Sequence, residues 1–478
     1  MPNGYEPLSA GDRTFLVFED DHTHMHLGGI ALFDAGPLAR PGGGLDIARI
    51  RSHIAARLHL MPRYRQRLAW VPVRNRPVWV DDEHFNLEYH VRHTAVPHPG
   101  GAAQLKALSA RIVSQQLDRG KPLWEVWVIE GLERGQFALL VKTHHCMADG
   151  ISAFDLFAAL MSPSPDDVAD APPPWRPRPT PSAARLVCDE VVRTVTLPLE
   201  TARVLIGRAL REPGRLWRGI VESVTAIGAT VGAGALPPSE TPLNQPIGPH
   251  RRFDWVDLSL ADLKAVKQRA GGTVNDIVLA VVAGAVRRFL AGRGVDVERL
   301  HYRAVVPVSV RTADERGLVT NRVSGWLTQL PVTEPDPRRR LLLVQTMTAR
   351  LKETKQALGP EVLSRVAELA MPGVLTLGVR LAARLSPYNM IVTNVPGPPV
   401  PLYFRGARLV AGYPLVPLFE RQGLGVALFS YMDRMCWGFN ADWDLVPDLA
   451  DFSAAIAASF HELCDAVGVE TTREAVGA

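Results

Sequence analysis

The sequence predicts an α/β protein made of two halves, and three observations carry that prediction. Strand-like and helix-like segments alternate near both ends of the chain. A proline-dense stretch and a long connector interrupt the alternation. The length, 478 residues, exceeds what one ordinary hydrophobic core organises. The spans read from these features are 1–162 for the first half, 163–250 for the linker and connector, and 251–478 for the second half.

In chain order, "HLGGIALFD" (His26 to Asp34) reads as a strand, followed by a helix from Leu45 to about Leu60. "PLWEVWVIEGL" (Pro122 to Leu132) and "QFALLVKTHH" (Gln136 to His145) read as two strands joined by a turn at Glu133-Arg134-Gly135. A helix is expected from Ile151, with Asp149 or Ser152 as its cap. The run from Ser162 to Pro181 is too rich in proline for regular structure. In the second half, a helix from Leu260 to Arg269 precedes a long apolar-faced helix opened by Asn275 or Asp276. Arg303 to Arg311 and Asn389 to Pro399 read as strands, the latter ending in a Pro-Gly turn, and Leu424 to Asn440 as a hairpin.

Composition removes several classes of function. The apolar share is 47% and the charged share 21%, as in a folded globular protein, and a net charge of +4 is too small for a nucleic-acid binder of this length. Cys146, Cys188, Cys436 and Cys464 are widely spaced with no CxxC, which points to a reducing compartment and away from a disulfide framework or zinc ribbon. "MPNGYEPLSAGDRTF" has no basic or apolar leader pattern, so no signal peptide is expected. The apolar run Ile277 to Val286 is about half the ~20 residues a membrane span needs. Seven arginines among apolar residues from Arg185 to Arg218 suit either an anionic membrane surface or a solvated amphipathic helix.

The chemistry concentrates in "ALLVKTHHCMADG", where an apolar strand runs into His144 and His145. Histidine there suits proton transfer near neutral pH, metal binding, or holding the turn. Adjacent strand residues point to opposite faces, which disfavours one ion between His144 and His145. The run His22, His24, His26 would put three imidazoles on one face but lacks a further ligand cluster. There is no GxSxG, since Gly150-Ile151-Ser152 lacks the second glycine, and Cys146 reads as a small buried thiol. A histidine base can take the proton of an alcohol, pKa roughly 16 like water, and contributes about 10²- to 10⁴-fold. With a thioester donor the leaving thiol, pKa roughly 8.5, needs little assistance, so one histidine serves both steps without a covalent intermediate.

"HHCMADG" fits the HHxxxDG motif and so resembles the CoA-dependent acyltransferase superfamily of chloramphenicol acetyltransferase and peptide-synthetase condensation domains. Further segments resemble the bacterial wax ester synthase/diacylglycerol acyltransferase family, in family order over nearly the whole chain. They are "LSAGDRTFL", "HMHLGGIALFD", "PRYRQRL", "LDRGKPLWEVWVIEGL", "TVNDIVLA", "VPVSVR", "TNVPGP" and the Ser430-Tyr431 pair. Within the family the wording is most similar to the actinobacterial, especially mycobacterial, triacylglycerol synthases. Thr393 stands where the family usually has serine, and keeps the hydroxyl.

The resemblance implies two chloramphenicol-acetyltransferase-like α/β halves with a tunnel at their interface. It implies transfer of a long-chain acyl group from acyl-CoA to diacylglycerol, giving triacylglycerol. The alternatives are a wax ester synthase acting on long-chain alcohols, and a lipid-droplet or membrane-binding protein of low activity. His145 would be the general base, His144 positional, and Asp149 structural, paired with an arginine for which Arg311 is the candidate. Gly150 would let the chain leave the strand tightly, and Asn275 would donate to the oxyanion or cap its helix. Pro122, Leu123 and Trp124 would shape the tunnel, with Trp124 and Trp127 expected on the face opposite Leu123 and Val126. No cofactor beyond acyl-CoA as co-substrate, no metal and no nucleic acid are implied. The expected location is cytoplasmic, at the inner membrane leaflet or on lipid droplets, with Gly373 to Leu385 a second candidate for membrane contact.

Overall fold

A computed structural model describes residues 4–72, 75–147, 153–167, 174–192, 237–309, 323–353 and 387–471. Asp149, Gly150 and Arg311 lie outside these residues, as do most of the Arg185–Arg218 connector and the Gly373–Leu385 segment. The strands of the first half are β1 (Tyr5–Pro7), β2 (His26–Asp34), β3 (Gln66–Val71), β4 (Arg76–Asp81), β5 (Val91–Ala95), β6 (Trp124–Glu130) and β7 (Gln136–His144). Those of the second are β8 (Arg251–Ser259), β9 (Tyr302–Ser309), β10 (Val323–Leu330), β11 (Met390–Pro396), β12 (Tyr403–Phe404), β13 (Ala407–Leu415), β14 (Leu424–Tyr431) and β15 (Arg434–Asp442).

Two six-stranded sheets dominate. The first has the order β12-β13-β2-β7-β6-β5 and the second β10-β9-β11-β14-β15-β8, while β1, β4 and β3 make a small third sheet. The two-half architecture is therefore present, with one exchange: β12 and β13, from the 251–478 span, complete the sheet of the first half. β13 pairs antiparallel with β2 from Leu409 opposite Phe33 to Leu415 opposite Gly28. The irregular 3-10 turn at Glu133–Gly135 joins β6 to β7, which pair antiparallel with Trp124 opposite Thr143.

Packing follows the strand period. Leu123, Trp124, Val126 and Val128 enter the core of the first half with Phe33, Phe137 and Tyr64. Trp127 instead packs with the cluster of Ile30, Leu140, Tyr413 and Phe253 between the sheets. This corrects the expectation that Trp124 and Trp127 share a face: three residues apart on a strand, they must point oppositely. The second core is built on the helix Val274–Gly292, whose Ile277–Val286 stretch is buried against the helix Leu449–Val467. That burial accounts for the apolar run without a membrane. Among the described residues, no helix is long and apolar enough to cross one.

Tyr431 ties the halves together. Its strand belongs to the second sheet, yet its ring packs in the first core, and its hydroxyl accepts from Leu402 N–H at 2.9 Å. The Pro396–Pro398 turn lies alongside: Gly397 N–H donates to Ser430 Oγ at 3.1 Å.

Candidate active site

β7 delivers the histidine pair. His144 is its last residue, set opposite His26 of β2, and a 3-10 turn over His145–Met147 follows. The backbone is strapped on both sides: His144 N–H donates to Leu123 O at 2.9 Å, and His145 N–H to Met25 O at 2.7 Å. Leu123 thus borders the pair through main-chain contact. Trp124 is fully buried, donating from Nε1 to Tyr64 O at 2.8 Å and stacked on His90.

The two imidazoles differ. His144 is wholly buried, and its Nδ1 accepts from Cys146 N–H at 3.1 Å. A nitrogen that accepts carries no proton, which assigns the proton of His144 to Nε2. That atom lies 3.2 Å from Oε2 of Glu19, off straight hydrogen-bond alignment. His145 is half-buried, with Phe15 stacked on its ring. Burial pushes its pKa down to about 4; its own backbone carbonyl pulls upward and the nearby His144 adds to the lowering. Among the described residues, its buried Nδ1 meets no hydrogen-bond partner beyond its own backbone carbonyl. The ring is therefore neutral at physiological pH, the form that accepts a proton.

Glu19 and Arg119 complete the surroundings. Glu19 caps α1 (Ala10–Phe18), its N–H donating to Phe15 O at 3.1 Å. Burial would raise its pKa, but the facing His144 Nε2 and the hydrogen-bonded Arg119 guanidinium prevail, and it falls to about 2. Arg119 reaches Oε2 of Glu19 with Nη2 at 2.6 Å and Nε at 3.0 Å. The sequence motifs by themselves do not single out Phe15, Glu19 or Arg119 as site residues. A signal existed: Phe15 and Glu19, four apart at the end of a helical stretch, share a helix face.

Other expected residues are placed differently. Asn275 is the second residue of the helix Val274–Gly292, which packs chiefly on the helices Leu449–Val467 and Pro337–Glu353 of the second half. Thr273, not Asn275, opens that helix, in a capping box with Asp276. His22, His24 and His26 do not line one strand face, because β2 begins only at His26. Among the described residues no group of three His, Cys, Asp or Glu side chains is arranged to hold a metal ion. Cys146 is a buried thiol whose pKa burial drives far above its ordinary value, so it is no nucleophile at neutral pH.

The fold and site define a two-sheet scaffold with a histidine turn at the end of a central strand. The first condensation domain of the CDA synthetase shares that fold, at TM-score 0.55 and 15% identity, with 98% of each chain covered. Family and sequence similarity go further. Residues 8–278 match the wax ester synthase/diacylglycerol acyltransferase catalytic domain, and residues 319–464 match the C-terminal domain of the same family. The chain belongs to the wax ester synthase/diacylglycerol acyltransferase family. It is 34% identical over 455 residues to a Mycobacterium tuberculosis protein named "Probable diacyglycerol O-acyltransferase tgs1", covering 94% of both chains. A second protein of that organism, "Probable diacyglycerol O-acyltransferase tgs2", is 32% identical over 97% of this chain and 99% of its own. A wax ester synthase/diacylglycerol acyltransferase from Marinobacter aquaeolei VT8 superposes with a TM-score of 0.70 at 28% identity, covering 97% of this chain and 100% of that one.

Proposed function

We propose that this protein transfers a long-chain acyl group from acyl-CoA to the free hydroxyl of diacylglycerol, forming triacylglycerol and CoA, with His145 as general base. The observation that carries the proposal is the half-buried, neutral imidazole of His145 at the end of β7, in a chain of this family. With Nδ1 sealed, Nε2 is the nitrogen left to meet the acceptor. It takes the hydroxyl proton as the oxygen attacks the thioester carbon. The carbon–sulfur bond then breaks, and the imidazolium returns the proton to the departing thiolate. A low proton affinity is a handicap for a base, and the negative charge growing on the nearby oxyanion offsets it by stabilising the imidazolium. Partial burial also keeps bulk water from competing as acceptor.

The family's name covers a second acceptor class, long-chain alcohols, and wax ester synthesis is the alternative reading. The test is one assay of purified protein with palmitoyl-CoA, comparing diacylglycerol with hexadecanol, alongside His145→Ala. Loss of transfer of about 10²-fold or more in the variant is expected from losing the base. Undiminished transfer to either acceptor would falsify the assignment.

We further propose that the protein works at a membrane or lipid-droplet surface, where its acceptor resides. In support, the helix Pro337–Glu353 presents Leu342 and Leu343, 62% and 48% exposed, beside Arg338 and Arg339. Co-sedimentation with anionic vesicles, compared with a Leu342→Ser/Leu343→Ser variant, tests this.

A further inference from the structure

We infer that Glu19 is a positioning residue for acyl transfer: with Arg119 it holds the proton of His144 on Nε2, and so fixes the turn that aims His145. The inference rests on the reading of His145 as the base.

Three relationships lead to it. First, Cys146 N–H can donate to His144 Nδ1 only while that nitrogen is bare, so the turn's internal hydrogen bond requires the Nε2–H tautomer. Second, the group facing that Nε2 at 3.2 Å is a carboxylate with only 4% of its side chain exposed. An anion there favours Nε2–H and repels the alternative, in which a lone pair would face it. Packing alone would be served as well by an apolar side chain; a buried carboxylate needs compensation, and the Arg119 guanidinium provides it. Third, the same helix touches both rings. Phe15 lies on His145 and Glu19, one turn further on, faces His144, so α1 registers the pair as a unit.

The other imidazole near this carboxylate does not supply the same contact. His26 Nε2 is 3.9 Å from Glu19 Oε1 and accepts from Leu117 N–H at 3.4 Å, so it carries no proton toward Glu19. Without the carboxylate, His144 is free to exchange tautomers. The Nδ1–H form sets two donors against each other at the His145–Cys146 turn. Displacement of a reacting group by about 1 Å costs on the order of 10²-fold in rate.

The experiment uses the full chain, palmitoyl-CoA and diacylglycerol, with Glu19→Gln, Arg119→Gln and His145→Ala in parallel. Glu19→Gln is expected to lower kcat by about 10- to 100-fold with the KM for palmitoyl-CoA within about twofold. Histidine-selective 15N spectra should show one Nε2–H tautomer for His144 in the wild type and a mixture in the variant. Arg119→Gln should act in the same direction and more weakly. Arg119 is 40% exposed, so this variant decides the matter if Glu19→Gln does not fold. Wild-type kcat per folded molecule, or an unchanged His144 tautomer, in the variant so read overturns the inference. Activity surviving in His145→Ala overturns the base assignment instead. An inactive His145→Ala beside a fully active Glu19→Gln removes the positioning role alone.

Discussion

The ring of Phe15 lies flat on that of His145, with centroids 3.6 Å apart and planes 16° from parallel. One face of the base is thereby shut off from water. Stacks of this kind are worth about 0.5–1.5 kcal/mol, too little to account for the fold and enough to hold a rotamer. Phe15→Ala should let water reach the imidazole, raise its pKa from about 4 toward the ordinary histidine value, and shift the acid limb of kcat/KM upward. Hydrolysis of palmitoyl-CoA without acceptor should rise as well. Thiol release with and without diacylglycerol, followed across pH 4–8, checks both effects. An unmoved acid limb would show that Phe15 does not set the environment of the base.

Acid should destabilise the protein well above the range where carboxylates titrate. His24, His26, His53, His90 and His145 all have pKa values lowered, in each case chiefly by burial. A histidine whose folded pKa is depressed binds more protons unfolded than folded, so its contribution is present above about pH 6.5 and lost as pH falls toward the folded value. Glu19, held near 2, adds nothing in that window. The melting temperature should therefore fall between pH 7 and pH 5. Equal melting temperatures at those two pH values would contradict this.

Much of the fold was legible because periodicity reports burial directly. His26–Asp34 and the 424–440 hairpin stand where alternation placed them. The exchange of β12 and β13 into the first sheet was not legible, since a strand's own pattern says which face is buried and not which partner covers its edge. The site divides in the same way. His144 and His145 announced themselves at a strand's end, whereas Glu19 and Arg119 meet only through the fold, 100 positions apart. Asn275 shows the reverse: a polar residue before an apolar helix reads as its cap, yet the adjacent Thr273–Asp276 capping box does that work.

Lys142 is expected to be the most sensitive ion in the first half. It is 1% exposed, donates to Ile112 O at 3.2 Å and Gln115 O at 2.9 Å at the end of the helix Ala102–Val113, and lies 3.4 Å from Glu125. A cation there adds a charged donor at a helix C-terminus, where the macrodipole favours positive charge. Lys142→Met takes the charged donor from Gln115 O and from Ile112 O, which keeps Gln115 N–H at 3.2 Å, and leaves Glu125 to Arg92 at 3.0 Å and the Trp127 indole N–H at 2.9 Å. A loss of about 3 kcal/mol is expected, the low end for one partner of a buried pair because Arg92 still compensates. The double variant with Glu125→Gln should cost less than the sum of the single changes, as measured by urea denaturation. Strict additivity would mean that the two charges do not interact.

Gly28 offers the sharpest backbone test. It lies opposite Lys142 in the β2–β7 ladder, and a Cβ placed on it would come within 1.8 Å of the Val141 carbonyl oxygen. Main chain cannot step aside as a flexible side chain can, and β7 is held on its other edge by β6. Gly28→Ala must therefore push β2 and β7 apart three residues before the histidine pair begins. The expected cost is about 3 kcal/mol or more, the upper range for overpacking, and denaturation measures it. The displacement should also reach His145, whose N–H bonds to Met25 just ahead of β2, so the variant's folded fraction should lose kcat. The same substitution at Gly36, where nothing lies within 4 Å of the added carbon, serves as the control and should change neither quantity. If Gly28→Ala matches that control, the close approach of the two strands is not what holds the histidine turn in place.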